Sequence, residues 1–144
     1  MKRHPSLRQL SDDHHRALVL ARRLQRDTAQ MDAAALAGLA CEVREEFEAQ
    51  MEPHFRVEEG LLLPALEGRG ERALVAQTRD DHTRLRALVR GAWPRSTARE
   101  LGALLEKHVR FEERVLFPRA ETVLSEAELA SVRDAAEARR GAAP

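Results

Sequence analysis

The stretch His54-Phe-Arg-Val-Glu58-Glu59-Gly-Leu-Leu-Leu-Pro64 recurs in related form as His108-Val-Arg-Phe-Glu112-Glu113-Arg-Val-Leu-Phe-Pro118. The histidine, the arginine, both glutamates, one leucine and the proline keep the same order and the same spacing. Each copy follows a shorter motif, Asp12-Asp13-His14 before the first and Asp80-Asp81-His82 before the second. The chain is therefore predicted to contain two similar halves, each contributing one histidine and one His-x-x-x-Glu pair.

The composition of the chain is typical of a single helical domain, which we take to span residues 1–144. Leucine, alanine, glutamate and arginine dominate and tyrosine is absent, which favours helices over sheets. The 24 basic residues balance the 24 acidic residues, so the chain lacks the basic excess that nucleic acid or an anionic membrane requires. We expect neither as a partner.

Several sequence features favour a cytoplasmic protein. No apolar run approaches the ~18–20 residues that would span a bilayer. The first residues lack the apolar stretch of a signal peptide. Cys41 is the single cysteine, so an internal disulfide and a Cys-x-x-Cys motif are both excluded.

Apolar residues recur with helical periodicity along nearly the whole chain, and they predict four long amphipathic helices. We expect an all-α fold, an antiparallel up-down-up-down four-helix bundle over about residues 6–124, with a short fifth helix over about 125–139. Asp32 is a predicted N-cap, and capping boxes are predicted at Ser6/Gln9, Thr97/Glu100 and Ser125/Glu128. Pro53 and Pro64 are expected to bend the second helix or loosen one of its turns.

The two His-x-x-x-Glu pairs are predicted to point into the core of this bundle. Residues four apart on a helix are turned by only ~40° and lie ~6 Å apart along the axis, so each pair shares one face. That face also carries the apolar stripes of the second and fourth helices. Burying carboxylates and imidazoles together is strongly unfavourable unless cations compensate. Nitrogen and oxygen ligands suit iron, zinc or manganese, so we predict a pair of metal ions.

Helix 1 offers two neighbouring histidines, of which His14 is the better candidate. His14 shares its stripe with leucines and alanines, whereas His15 shares one with arginines and a serine. The internal repeat also aligns His14 with His82. The predicted metal ligands are His14, His54, Glu58, His82, His108 and Glu112.

Three further residues are predicted to lie just outside the metal ligands or at the rim of the site: His15, Glu59 and Glu113. Each of the two glutamates lies five residues after a histidine, about 140° around the helix from it. We therefore favour a solvated or salt-bridged carboxylate for both, with an outer role in orienting a ligand as the alternative. No residue is predicted to be catalytic.

These motifs together resemble the hemerythrin-like, or HHE cation-binding, domain over about residues 6–124. The resemblance implies a non-heme di-iron centre inside a four-helix bundle, carboxylate-bridged and oxo- or hydroxo-bridged. On the matching positions, the ligands would be the six residues above, with Glu58 and Glu112 as bridges. Zinc or manganese remains an alternative, because the preference for iron comes from the resemblance and not from the ligand types.

The chain also departs from the pattern of the oxygen-carrying members. Those members have a second histidine one turn after the histidine of the third helix, and this chain has Arg86 there. Helix 4 supplies glutamate where the carriers have aspartate. The four-His, two-Glu set is closer to the bacterial hemerythrin-like proteins that respond to nitric oxide, oxygen or iron.

Three functions are compatible with the sequence. The favoured one is a di-iron protein, more a binding module than a dedicated enzyme, that binds or senses oxygen, nitric oxide or iron through a small ligand such as O2, NO or peroxide. The second is a di-iron redox enzyme that handles peroxide or nitric oxide or repairs iron centres. The third is a structural or regulatory helical bundle with a zinc site.

Overall fold

The computed structural model describes the backbone of residues 2–142 and the side chains of residues 2–139, and it contains helices but no strand within this range. The all-α class is confirmed. The helices are α1 (Arg8–Arg26), α2 (Ala33–Glu46), α3 (Glu52–Val57), α4 (Leu63–Gly68), α5 (Arg72–Arg90), α6 (Arg95–Phe111), α7 (Phe117–Val123) and α8 (Glu126–Ala142).

Three π-helical segments join some of these helices into longer rods. Phe47–Met51 links α2 to α3, Glu58–Leu62 links α3 to α4, and Glu112–Leu116 links α6 to α7. The described chain therefore forms five rods, over residues 8–26, 33–68, 72–90, 95–123 and 126–142. These correspond to the four long helices and the additional C-terminal helix that the sequence predicts.

Each π-helical segment ends two residues before a proline. Proline lacks an N–H group, and its ring clashes with the carbonyl four residues back. A wider turn relieves this clash, and the residue before the proline donates its N–H five residues back instead. The N–H of Leu63 bonds to the carbonyl of Glu58, and that of Phe117 bonds to the carbonyl of Glu112. The loosened turn predicted before His54 is the segment Phe47–Met51.

The predicted helix caps were only partly correct. The side chain of Asp32 accepts a hydrogen bond from Ala35 N at 2.8 Å, and Ser125 and Glu128 form a reciprocal capping box. The boxes at Ser6 and Thr97 are wrong. The chain enters α1 through a 3-10 turn capped by the side chain of His4, and Pro94 is the residue before α6, which begins two residues ahead of Thr97.

The apolar core consists of two clusters that lie toward opposite ends of the rods. One cluster joins the start of α1, α4, α7 and α8, and it includes Leu10, Leu62, Phe117, Leu129 and Val132. The other joins the rest of α1 to α2, α3, α5 and α6, and it includes Leu24, Val43, Phe55, Leu85 and Leu105. On each of the four long rods, the predicted ligands lie where the residues of one cluster give way to those of the other. Among the described residues, none of the helices combines the length and the apolar character needed to cross a bilayer.

Candidate metal centre

The structure brings all six predicted ligand residues together in the middle of the protein. They come from four rods, and none is more than 2% exposed: His14, His54, Glu58, His82, His108 and Glu112. Glu58 and Glu112 are each the first residue of a π-helical segment. Four of the long rods therefore converge on one buried polar cluster.

The six side chains form two overlapping groups, each able to surround one cation. His14 and His54 form one group with Glu58 and Glu112, and His82 and His108 form the other group with the same two glutamates. Within each group, one nitrogen or oxygen atom per residue lies within 4.8 Å of every other. We call these groups the His14/His54 position and the His82/His108 position.

Each glutamate lies between one histidine of each position. Glu58 Oε2 is 3.3 Å from His54 Nε2, and Glu58 Oε1 is 3.2 Å from His82 Nε2. Glu112 Oε1 is 3.0 Å from His14 Nε2, and Glu112 Oε2 is 3.3 Å from His108 Nε2. Both carboxylates are therefore placed so that they can bridge two cations.

Most of these inward-facing atoms lack a hydrogen-bond partner although they are fully buried. Among the described residues, the unsatisfied atoms at this centre are His54 Nε2, His82 Nε2, His108 Nε2, both carboxylate oxygens of Glu58 and Glu112 Oε2. A buried polar atom without a partner costs about 1–3 kcal/mol. Several such atoms around one point, all of metal-ligand type, fit a pair of bound cations.

The outer nitrogen of each of the four histidines at the centre contacts a second carboxylate. The Nδ1 atoms of His54 and His108 lie 2.9 and 3.0 Å from Asp13 and Asp81. The other two outer contacts are His82 Nδ1 with Glu59 at 2.7 Å and His14 Nδ1 with Glu113 at 2.8 Å. A carboxylate that accepts the Nδ1–H bond leaves the lone pair on Nε2, which faces the centre, as a metal ligand requires.

This outer layer shows where the sequence argument was incomplete. Glu59 and Glu113 were expected to be solvated or salt-bridged because they point away from the histidine on their own helix. Their actual histidine partners lie on other helices, α5 and α1. Asp13 and Asp81 were not predicted to have a role at the site. The repeated Asp-Asp-His motif was the signal that could have identified them.

His15 lies outside this centre. Its side chain is exposed, and it lines a surface groove between α1 and α2 together with Val19 and Val43. The structure therefore places His14 inside the core and His15 at the surface, on the two sides that the helical stripes predict.

Arg86 lies one turn after His82 on α5, beside the centre. Its guanidinium pairs with both carboxylate oxygens of Glu59 and both of Glu52, at 2.8 to 3.0 Å. It also lies over the ring of Phe55, which stacks on His82 with ring centres 3.8 Å apart. Arg86 therefore acts on the centre from outside, through Glu59 and Phe55.

The carboxylates strongly favour protonated histidines when no cation is bound. Burial by itself lowers the pKa of a histidine, but the negative charges of the nearby Glu112, Glu58 and Glu59 carboxylates outweigh it and raise the pKa of His82 to about 11. The pKa of His108 rises to about 9 against the same effect of burial, chiefly through Glu112. Burial opposes ionisation of Glu112, yet the histidines hold its pKa well below the usual value. Metal ions would replace these protons.

Comparison with known families agrees with this arrangement. The family model of the hemerythrin HHE cation binding domain matches residues 6–120, which include all six predicted ligands. No curated protein and no solved structure gives a significant match. The matched region excludes Arg3 and all of α8.

Proposed function

Because the chain belongs to the hemerythrin HHE cation-binding family, we propose that it is a non-heme di-iron protein that binds or senses oxygen, nitric oxide or iron. The proposed ligands are His14 and His54 for one ion and His82 and His108 for the other. Glu58 and Glu112 would contribute a carboxylate to both ions. The proposed setting is one domain over residues 1–144, with an antiparallel up-down-up-down bundle. Location in the cytoplasm stays a prediction of the sequence.

The observation that carries this proposal is the set of unsatisfied buried atoms. A structural core would pair them or replace them with apolar groups, since an unpaired polar atom destabilises the fold. Here they form two groups that share two carboxylates. Two cations satisfy all of them at once, while one cation leaves one histidine pair without a partner.

The residues of the chain hold the site rigid and dry. The outer carboxylates fix each imidazole, and the ring of Phe117 stacks on His14 with centres 5.5 Å apart. Phe55 covers His82 in the same way. Iron bound there would supply reversible redox chemistry and open coordination positions for a small molecule. Because the ligands are fully buried, the site favours a diatomic gas or peroxide over a bulky substrate.

The two alternatives have less support from this geometry. A redox enzyme would benefit from a free acid or base beside the metal ions, and Glu59 and Glu113 are both engaged with histidines. His15, the third candidate, is at the surface. A structural zinc site is usually a closed four-ligand site for one ion, whereas this centre offers two positions with shared ligands.

Metal analysis combined with optical spectroscopy tests the proposal. Protein purified without added metal, or loaded anaerobically with ferrous iron, is analysed for metal content, and its spectrum is then recorded before and after air, peroxide and nitric oxide. We expect a pair of irons per chain and a spectrum that changes with the gases. Zinc alone at high occupancy, or a colourless protein after loading and oxidation, would contradict the proposal. Peroxide or nitric oxide turnover above that of free iron would favour the enzyme.

A further inference from the structure

The two metal positions differ in how their outer carboxylates are held. At the His14/His54 position, both carboxylates pair with arginines that lie outside the residues matched by the family model. Arg139 of α8 donates to Asp13 Oδ2 at 2.8 Å and to the carbonyl of Gln50 at 3.2 Å. Arg3 donates to the carbonyl of Glu113 at 2.8 Å and lies 3.5 Å from its carboxylate.

The His82/His108 position is held differently. Its Glu59 pairs with Arg86, which is on the same helix as His82. Its Asp81 contacts His108, and no arginine in the described part of the chain pairs with this aspartate. The inner ligands and the outer carboxylates therefore follow the internal repeat in both positions. The arginines that pair with the outer carboxylates do not follow it, so the two positions differ there.

The N-terminal segment and α8 also contact one another. His4 Nε2 is 3.3 Å from Glu126 Oε1. Leu129 and Val132 of α8 pack in the same apolar cluster as Leu7 and Leu10. We call residues 3–7 together with α8 the terminal clasp. Its apolar contacts dock α8 independently of Arg139, so a change at Arg139 leaves most of the docking surface intact.

We propose that Arg139 is a positioning residue for the His14/His54 position, so that docking of α8 sets the metal affinity of this position and makes it unequal to the other. The inference rests on the proposed metal centre. Arg139 holds Asp13, Asp13 holds the Nδ1 side of His54, and the ring of His54 thereby keeps Nε2 directed at the centre. The side chain of Arg139 is only 15% exposed, so water screens its pairing with Asp13 weakly.

A titration with Mn²⁺ against a competing chromophoric chelator tests this inference on the full chain. The variants are Arg139→Ala, Arg139→Lys and the control Arg133→Ala, whose arginine is on the same helix and pairs with Asp134. Loss of an outer partner of a metal-bound histidine weakens binding by about 10–100-fold, and Arg139 acts one contact further out. We therefore expect Arg139→Ala to weaken one of two binding steps by roughly 10-fold, with recovery in Arg139→Lys and no change in Arg133→Ala.

A double-mutant cycle separates this pathway from a general loss of stability. If Arg139 acts through Asp13, Arg139→Ala adds little to the loss that Asp13→Asn already causes. An equal further loss in the Asp13→Asn background would overturn the inference. The inference would also be overturned if Arg139→Ala left both Mn²⁺ binding steps unchanged, or if it weakened both steps equally.

Thermodynamic linkage between metal binding and α8 docking provides a second test, in which hydrogen exchange is measured instead of metal affinity. If α8 docking favours metal binding, metal binding must favour α8 docking to the same extent. We expect Mn²⁺ to slow hydrogen exchange of the α8 amides in the wild-type protein and to slow it much less in Arg139→Ala. Unchanged protection by Mn²⁺ in both proteins would contradict the inference. Failure of the wild-type protein to bind a pair of metal ions would instead overturn the proposed function, before any variant is compared.

Discussion

The carboxylate of Glu112 lies between His14 and His108, so this residue faces both proposed metal positions. We therefore expect Glu112→Ala to remove both metal ions, whereas His54→Ala mainly empties the position that His54 shares with His14. Metal content per chain after purification is the measurement. His15→Ala is the control, since this side chain is adjacent in sequence but exposed. A loss of metal in His15→Ala as large as that in Glu112→Ala would show that the placement of the ligands is wrong.

Asp81 allows a test of the outer layer without touching any inner ligand. Asp81→Asn keeps the shape of the side chain but removes the charge that faces His108 Nδ1. We expect metal affinity to fall by about 10–100-fold, because the imidazole loses basicity and a fixed orientation. A chelator competition assay measures this. Asp80→Asn is the matched control, because Asp80 is exposed and precedes Asp81 in the chain. Equal affinities for the two variants would remove the role assigned to Asp81.

The inner ligands could be predicted from the sequence, whereas the outer carboxylates could not. Helical periodicity assigns a residue to one face of its own helix, and this is sufficient for a side chain such as His54 that points straight into the core. Asp13 lies on the same helix as His14 but contacts a histidine of a different rod. Such a contact depends on how two helices are rotated and spaced relative to each other. The periodicity of a single helix gives no information about this.

The π-helical segments illustrate the same limit for whole helices. Pro53 and Pro64 predict a disturbance in the second rod, and both prolines follow π-helical turns. The sequence does not specify that the chain widens a turn instead of kinking there. Packing against neighbouring rods favours the wider turn, because the rod stays continuous and Glu58 stays buried in the centre.

Gly102 controls how closely α1 and α6 approach. A Cβ atom at this position would lie 2.8 Å from the carbonyl oxygen of Ala21 and 2.9 Å from Leu24 Cβ. We expect Gly102→Ala to lower the free energy of unfolding by about 1–3 kcal/mol, because the two helices must separate. Gly38→Ala is the control. A Cβ there meets nothing within 4 Å, so alanine should stabilise α2 by about 0.5–1 kcal/mol. Chemical denaturation measures both effects, and unchanged stability in Gly102→Ala would contradict the close approach.

Taken as a whole, the molecule is two related halves closed around one polar centre. The repeat in the sequence predicts the two metal positions, and the two apolar clusters enclose the polar centre toward both ends of the rods. The repeat does not predict the terminal clasp, because Arg3 and Arg139 have no counterparts in the duplicated motif. The asymmetry between the halves arises from arginines outside the duplicated motif, namely Arg86 beside Glu59 and the two arginines of the terminal clasp.

The pH dependence of stability follows from the same buried centre. In the metal-free protein the pKa values of His108 and His82 are about 9 and 11, against an ordinary value of 6.5. Their contribution to stability is fully present below pH 6.5 and is lost as the pH rises through 9 toward 11. The lowered pKa of Glu112 adds stability above pH 4.5 that is lost in acid. The metal-free protein should therefore be most stable between about pH 4.5 and 6.5.

Metal binding should reverse this trend on the alkaline side. Metal ions compete with protons for the histidines, so their affinity rises with pH, and they stabilise the native state more at pH 8 than at pH 6. Thermal unfolding of metal-free and Mn²⁺-loaded protein at both pH values measures the difference. The control is His54→Ala, in which the gain from metal should shrink at both pH values. If metal raised the unfolding temperature equally at pH 6 and pH 8, the histidines would not be exchanging protons for metal.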